Sequence, residues 1–179
     1  MDFSATAFVI QTQYKGKPQL WGVTAAHYSF ETPAITTGWG RIPISVAAQS
    51  PSATGDVMLF KLPPDQPLDV KPLLLSNQPV EVGETLFSLG YFNGSWHHET
   101  DRVVQEVSPM RIITSLEVPS PKGKKREGAC GGPVLNEQNE VVGLHIGSSD
   151  FYQIGFVVPA QHIRDLITAY NQGGTLPKP

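Results

Sequence analysis

Cysteine occurs once in this 179-residue chain, at Cys130, inside the run Gly128-Ala129-Cys130-Gly131-Gly132-Pro133. A thiol attacks a carbonyl carbon well only as the thiolate. Free cysteine, with a pKa of about 8.5, is mostly protonated near neutrality, so that chemistry needs a neighbouring base. His27, which closes the run Val23-Thr24-Ala25-Ala26-His27, is the candidate. Once protonated, the same imidazole can return the proton to a departing amine. A carboxylate on the far ring nitrogen would fix tautomer and orientation, and Asp56, in Thr54-Gly55-Asp56-Val57-Met58-Leu59, has that role in this reading. A tetrahedral intermediate also needs backbone N–H groups converging on its oxyanion. Gly128 and Gly131 leave the chain free to turn sharply, and the expected donors are the N–H groups of Cys130 and Gly128. A lone cysteine is usually an inert core residue and a lone histidine usually structural. The catalytic reading rests on all three motifs together, in the order His, Asp, Cys.

Short strands must position these residues. Residues 5–13 are rich in β-branched and aromatic types and end at the turn signal Tyr14-Lys15-Gly16-Lys17-Pro18, after which residues 20–24 supply a hairpin partner. Similar runs recur at 42–47, 57–62, 85–89, 102–107, 111–116, 141–146 and 154–158, punctuated by Gly, Pro, Asn or Ser. Many short strands with such punctuation indicate a β-barrel or sandwich. Only after Pro159 does the period change. Ile163, Leu166, Ile167 and Tyr170 fall at helical spacing, and Gly173-Gly174 provide the stop. The Pro-rich stretch from Pro63 to Pro72, or the later Asn77-Gln78-Pro79, is the expected crossing between two halves.

With 40% hydrophobic and 16% charged residues, the chain has the make-up of a folded globular protein. Its 17 Gly and 16 Pro favour tight turns over long helices. A formal net charge of −3 gives no overall attraction to nucleic acid or to an acidic membrane. A single cysteine cannot form an intramolecular disulfide, and neither a signal peptide nor a transmembrane run is evident, so the expected location is cytoplasmic. His97-His98-Glu99 with Asp101 lacks a second cluster to complete a metal set and reads as an exposed hairpin; no metal or other cofactor is expected. Lys122, Lys124, Lys125 and Arg126 read as a solvated basic loop, Trp21, Trp39 and Trp96 as packing residues, and His162 takes no role.

The motifs Thr24-Ala25-Ala26-His27, Asp56 leading into Val57-Met58-Leu59, and Gly128-Ala129-Cys130-Gly131-Gly132-Pro133 resemble, in that order, those of trypsin-like peptidases of the chymotrypsin fold. Gly83–Tyr91, Val141-Val142-Gly143-Leu144-His145 and Ile154–Pro159 look like strands of HtrA-type members, so the likeness runs over nearly the whole chain. It implies an all-β fold of two six-stranded antiparallel barrels with a C-terminal helix. The first barrel (1–75) would carry His27 and Asp56, and the second (76–179) Cys130, with the site in the cleft between. Cysteine in place of the family's serine is similar to picornavirus-type and potyvirus-type proteases; an engineered serine-to-cysteine change is the other source. His145 is also similar to those viral enzymes, and the resemblance implies that it forms the base of the pocket for the residue before the scissile bond, flanked by Ser148. A neutral imidazole N–H there would select Gln or Glu. The expected function is endopeptidase action on a peptide or protein substrate, with no nucleic-acid or membrane partner. A non-catalytic peptide-binding module of the same fold is the alternative, and a thiol acyltransferase or esterase a third. Because Met1-Asp2-Phe3 leads almost directly into the first strand, the chain should be competent without N-terminal processing.

Overall fold

The structure, a computed structural model, describes residues 5–28, 33–37, 40–63, 70–92, 95–116 and 128–173. Trp39, the basic run at 122–126, Gly174 and part of the Pro-rich crossing lie outside them.

The first hairpin joins β1 (Phe8–Tyr14) to β2 (Lys17–Ala25) through Lys15 at φ +50° and Gly16 at φ +74°. Two consecutive left-handed residues give the turn whose twist matches the flanking strands. Short strands β3 (Ala34–Thr37) and β4 (Gly40–Pro43) pair only with each other among the described residues. Beyond Pro43 and Ile44, β5 (Ser45–Ser50) pairs with β6 (Val57–Lys61), which also pairs with β2. Among the described residues the N-terminal half is a four-stranded sheet, β1-β2-β6-β5, beside a separate hairpin, and closure into a six-stranded barrel is not seen there. The free side of β1 is taken by the interlobe segment, where the Gln11 N–H donates to Leu73 O at 2.9 Å and the Leu73 N–H to Val9 O at 2.8 Å.

The C-terminal half closes. Strands β7 (Thr85–Phe92), β8 (Ser95–Val107), β9 (Ile112–Ser115), β10 (Pro133–Leu135), β11 (Val141–Ser149) and β12 (Ile154–Pro159) form a barrel in the order β10-β11-β12-β9-β8-β7. Helix α1 (Ala160–Asn171) follows directly and buries Ala160, Ile163, Leu166 and Ile167; Gly173, at φ +71°, lies just past its end. The helix packs into a core shared by both halves, which joins Ile10, Trp21, Val23 and Leu59 to Val141, Leu144, Val158 and Ile163. Arg164 fastens the interlobe segment by donating to Leu75 O at 3.1 Å and Ser76 O at 2.7 Å. Trp21 is fully buried, whereas Trp96 is 56% exposed and stacks edge-on against Tyr91, so it is not a core residue. The His97–Asp101 segment lies on β8, which forms a hairpin with β7, and His97, His98 and Asp101 are exposed as read, whereas Glu99 is buried.

Candidate functional site

His27 and Asp56 stand at the ends of adjacent strands: His27 follows β2, and Asp56 precedes β6. Because Ala25 pairs with Val57, the two residues beyond that pair must lie close. Asp56 grips His27 twice. Its Oδ1 accepts the His27 backbone N–H at 2.7 Å, and its Oδ2 meets His27 Nδ1 at 2.7 Å. The Asp56 backbone is left-handed at φ +56°, a conformation in which aspartate is among the more tolerated residues. Gly55 leaves room for that turn, since a Cβ there would come within 3.0 Å of His162 Nδ1. His162 itself meets Pro109 O at 2.7 Å and so joins the helix to the barrel beside the aspartate turn.

Cys130 lies in the loop before β10, half-buried, and near enough to the His27 ring to raise its pKa. The imidazole thus has the carboxylate on one side and the sulfur on another. Its pKa is raised from 6.5 to about 9, first by the hydrogen bond to Asp56 and then by Cys130; desolvation opposes both. At neutral pH the ring holds a proton in this setting.

The loop around Cys130 turns on two left-handed glycines, Gly128 at φ +94° and Gly131 at φ +91°. Gly131 has a second constraint: a Cβ there would lie 2.1 Å from Thr6 O. Its N–H donates to His145 O at 2.7 Å, and the Gly132 N–H reaches Ala129 O at 3.2 Å. Among the described residues no acceptor takes the N–H groups of Gly128 and Cys130. A pair of uncommitted N–H groups two residues apart is the arrangement an oxyanion would use.

Thr6, which nothing in the sequence marked out, holds this loop in place. Buried to 3% exposure, it donates its N–H to Cys130 O at 2.9 Å and its hydroxyl to Gly128 O at 2.6 Å. The same hydroxyl accepts the Tyr91 N–H at 2.9 Å, and Thr6 O accepts the Thr24 hydroxyl at 2.8 Å. One residue therefore ties the cysteine loop to β2, on which His27 follows, and to β7.

His145 lies inside the barrel on β11, 4% exposed, and its N–H donates to Gly132 O at 2.9 Å. Ser148 is half-buried on the same strand. Residues three apart on a regular strand face opposite ways, but an irregularity between His145 and Gly147 adds a step. His145 then pairs with Val157 and Ser148 with Gly155, two residues apart on β12, so both face one side. Among the described residues no cluster of three or more His, Cys, Asp or Glu is arranged to hold a metal, and no helix is long and apolar enough to cross a membrane.

A family model described as a trypsin-like peptidase domain matches residues 5–144. Of solved structures, the Rv3671c protease of M. tuberculosis in its active form is similar with a TM-score of 0.70 at 19% identity, covering 98% of this chain and 84% of that one. A serine endoprotease from Yersinia pestis matches with a TM-score of 0.68 at 13% identity, covering 93% and 62% of the two chains. A human pathogenic astrovirus serine protease matches at 0.61 and 17%, covering 88% and 92%. No curated protein sequence matches the chain.

Proposed function

The chain belongs to the trypsin-like peptidase family, and from that premise we propose that it is an endopeptidase acting through Cys130, His27 and Asp56. The observation that carries the proposal is the His27 ring, held by Asp56 at Nδ1 with Cys130 near enough to raise its pKa. A raised imidazole pKa supports a ring able to act as the base for this thiol.

In the proposed reaction, the Cys130 thiolate attacks the carbonyl carbon of the scissile bond and the carbonyl electron pair moves to oxygen. The oxyanion sits between the N–H groups of Cys130 and Gly128. As the intermediate collapses, the C–N bond breaks and the departing amine takes the proton from His27, leaving an acyl-thioenzyme. His27 then removes a proton from water, whose oxygen attacks the thioester; the thiolate leaves and the acid product is released. Asp56 holds the ring in one tautomer throughout.

His145, with Ser148 on the same face, forms the base of the pocket for the residue before the scissile bond, which supports Gln or Glu there. The two halves divide the work at the interlobe segment, 1–75 carrying His27 and Asp56 and 76–179 carrying Cys130 and the pocket. A peptide library incubated with the protein and with Cys130→Ala tests the proposal. Cleavage after Gln or Glu by the parent alone is expected, and substantial turnover by a folded Cys130→Ala variant would refute the nucleophile.

A further inference from the structure

Burial along β7 alternates residue by residue. Leu86, Ser88 and Gly90 are buried and face into the barrel, so Phe87, Leu89 and Tyr91 share the outer face. Phe87 and Leu89 pack against the core shared by the two halves, and Tyr91, next in the row, leaves that core at 51% exposure. Directly opposite it on β8 stands the exposed Trp96, with the two rings 5.2 Å apart and 65° to each other. A single exposed aromatic residue is ordinary. Here an apolar row runs out of the core and ends in two rings that meet edge-on, presenting one joint apolar wall to water.

The wall stands beside the Cys130 loop. Strand β10 pairs with β7 so that Leu135 faces Phe87 and Val134 faces Ser88, and the same register carried back toward the loop brings Gly131 near Tyr91. Two contacts agree with that placement. The Tyr91 N–H donates to the Thr6 hydroxyl oxygen at 2.9 Å, and Thr6 in turn bonds Gly128 O and Cys130 O; a Cβ on Gly132 would collide with Leu89 O. In the closed barrel β10 has β11 on one side and β7 on the other. His145 and Ser148 are on β11, so a peptide whose residue before the scissile bond lies there, and whose backbone crosses Cys130, leads its departing segment toward β7 and β8. Side chains of an extended chain alternate. The residue before the scissile bond and the second residue after it therefore point to one side, toward the C-terminal barrel, while the first residue after it points toward the N-terminal half. The second residue is the one that reaches Tyr91 and Trp96. A cation over half-exposed rings keeps most of its hydration, whereas an apolar side chain laid across them sheds water from both surfaces, so the wall favours the apolar side chain.

We propose that Tyr91 and Trp96 form a second specificity site, which takes a large apolar side chain at the second position after the scissile bond. The proposal rests on the endopeptidase reading and on the pocket at His145, which sets the direction in which the peptide crosses Cys130. Thr6 fixes the spacing between this site and the nucleophile, because it bonds both the Tyr91 backbone and the Cys130 loop.

The test uses peptides identical except at that second position, carrying Phe, Leu, Gly, Asp or Lys there, with kcat/KM measured for the parent protein. Phe and Leu should exceed Gly and Asp by at least about tenfold. Tyr91→Ala and Trp96→Ala should each lower that ratio, the double variant should bring it close to one, and Trp96→Phe should keep part of it; melting temperatures check that each variant is folded. The affinities of the same peptides for Cys130→Ala give the comparison without turnover. Equal rates for Leu and Asp in the parent, a preference for Lys over Leu, or an unchanged ratio in the folded double variant overturns the inference. So does a dimer that the double variant loses while the peptide ratio holds, since the rings would then belong to an interface with a second copy of the chain. Failure of the parent to cleave any peptide would count against the endopeptidase reading instead, and the ratio of affinities would still decide the role of Tyr91 and Trp96.

Discussion

In the N-terminal half the ionisable pair stands at strand ends, with the His27 side chain 30% exposed. In the C-terminal barrel Glu99, Arg102 and His145 lie inside, at 5%, 0% and 4% exposure. The difference is one of position. At the ends of β2 and β6, His27 remains partly exposed while Asp56 is buried beside it. A closed barrel pairs its own backbone groups and excludes water, so a charge placed inside keeps its field and must be held by fixed partners. Changes in the first region should therefore alter chemistry with little loss of fold, and changes in the second should alter selectivity and stability together.

His27→Ala breaks the comparison most sharply. With the base gone, kcat/KM should fall by roughly 10³-fold or more, while the melting temperature moves by only a few degrees. Asp56→Ala should cost less, on the order of 10- to 100-fold, because an imidazolium–thiolate pair depends less on its third member than a serine–histidine pair does. Equal losses in the two variants, both folded, would contradict that ranking. Thr6→Val tests the join between the two regions. It removes the hydroxyl from Gly128 O and leaves the Tyr91 N–H without its acceptor, which should lower stability by about 1–3 kcal/mol. Turnover should fall by about tenfold, with the fall in kcat and not in KM, and Thr6→Ser should recover most of it. A Thr6→Val protein with lowered stability and full kcat would reduce Thr6 to a packing residue.

The smallest effect is in pH dependence. The His27 pKa rises from 6.5 to about 9 on folding, so the folded state binds the proton more tightly than the unfolded chain. The resulting stabilisation is full below about pH 6.5 and is lost as pH rises through about 9. Denaturation midpoints measured from pH 6 to 10 should decline across that window in the parent, and the decline should shrink in Asp56→Asn. A parent profile flat to pH 10 would contradict the raised value.

Much of the candidate site was legible in the sequence because the chemistry proposed for it is local. The three motifs each place a reactive side chain beside small or strand-forming neighbours, and the backbone pairing of Ala25 with Val57 is what brings two of them together. Helix α1 was equally plain from the spacing of Ile163, Leu166 and Ile167. Thr6 was not legible, because a threonine in a β-branched run looks like any strand residue, and its hydroxyl partner, Gly128, is remote in sequence. Arg102 left a faint signal. It stands two residues before the buried Val104, which puts it on the inner face of a regular strand, but arginine at that position reads as solvent-facing by type. The pairing of the interlobe segment with the edge of β1 had no signature either, since it joins Leu73 to Val9 and Gln11 across more than sixty residues.

The central claim is that His27 activates Cys130, and labelling by an electrophilic peptide probe tests it most directly. The parent protein and His27→Ala would be exposed to the same probe at neutral pH, with the modified residue located by mass spectrometry. The account predicts rapid modification confined to Cys130 in the parent and a rate lower by at least about 100-fold in His27→Ala. Equal rates in the two proteins, with both folded, would contradict it.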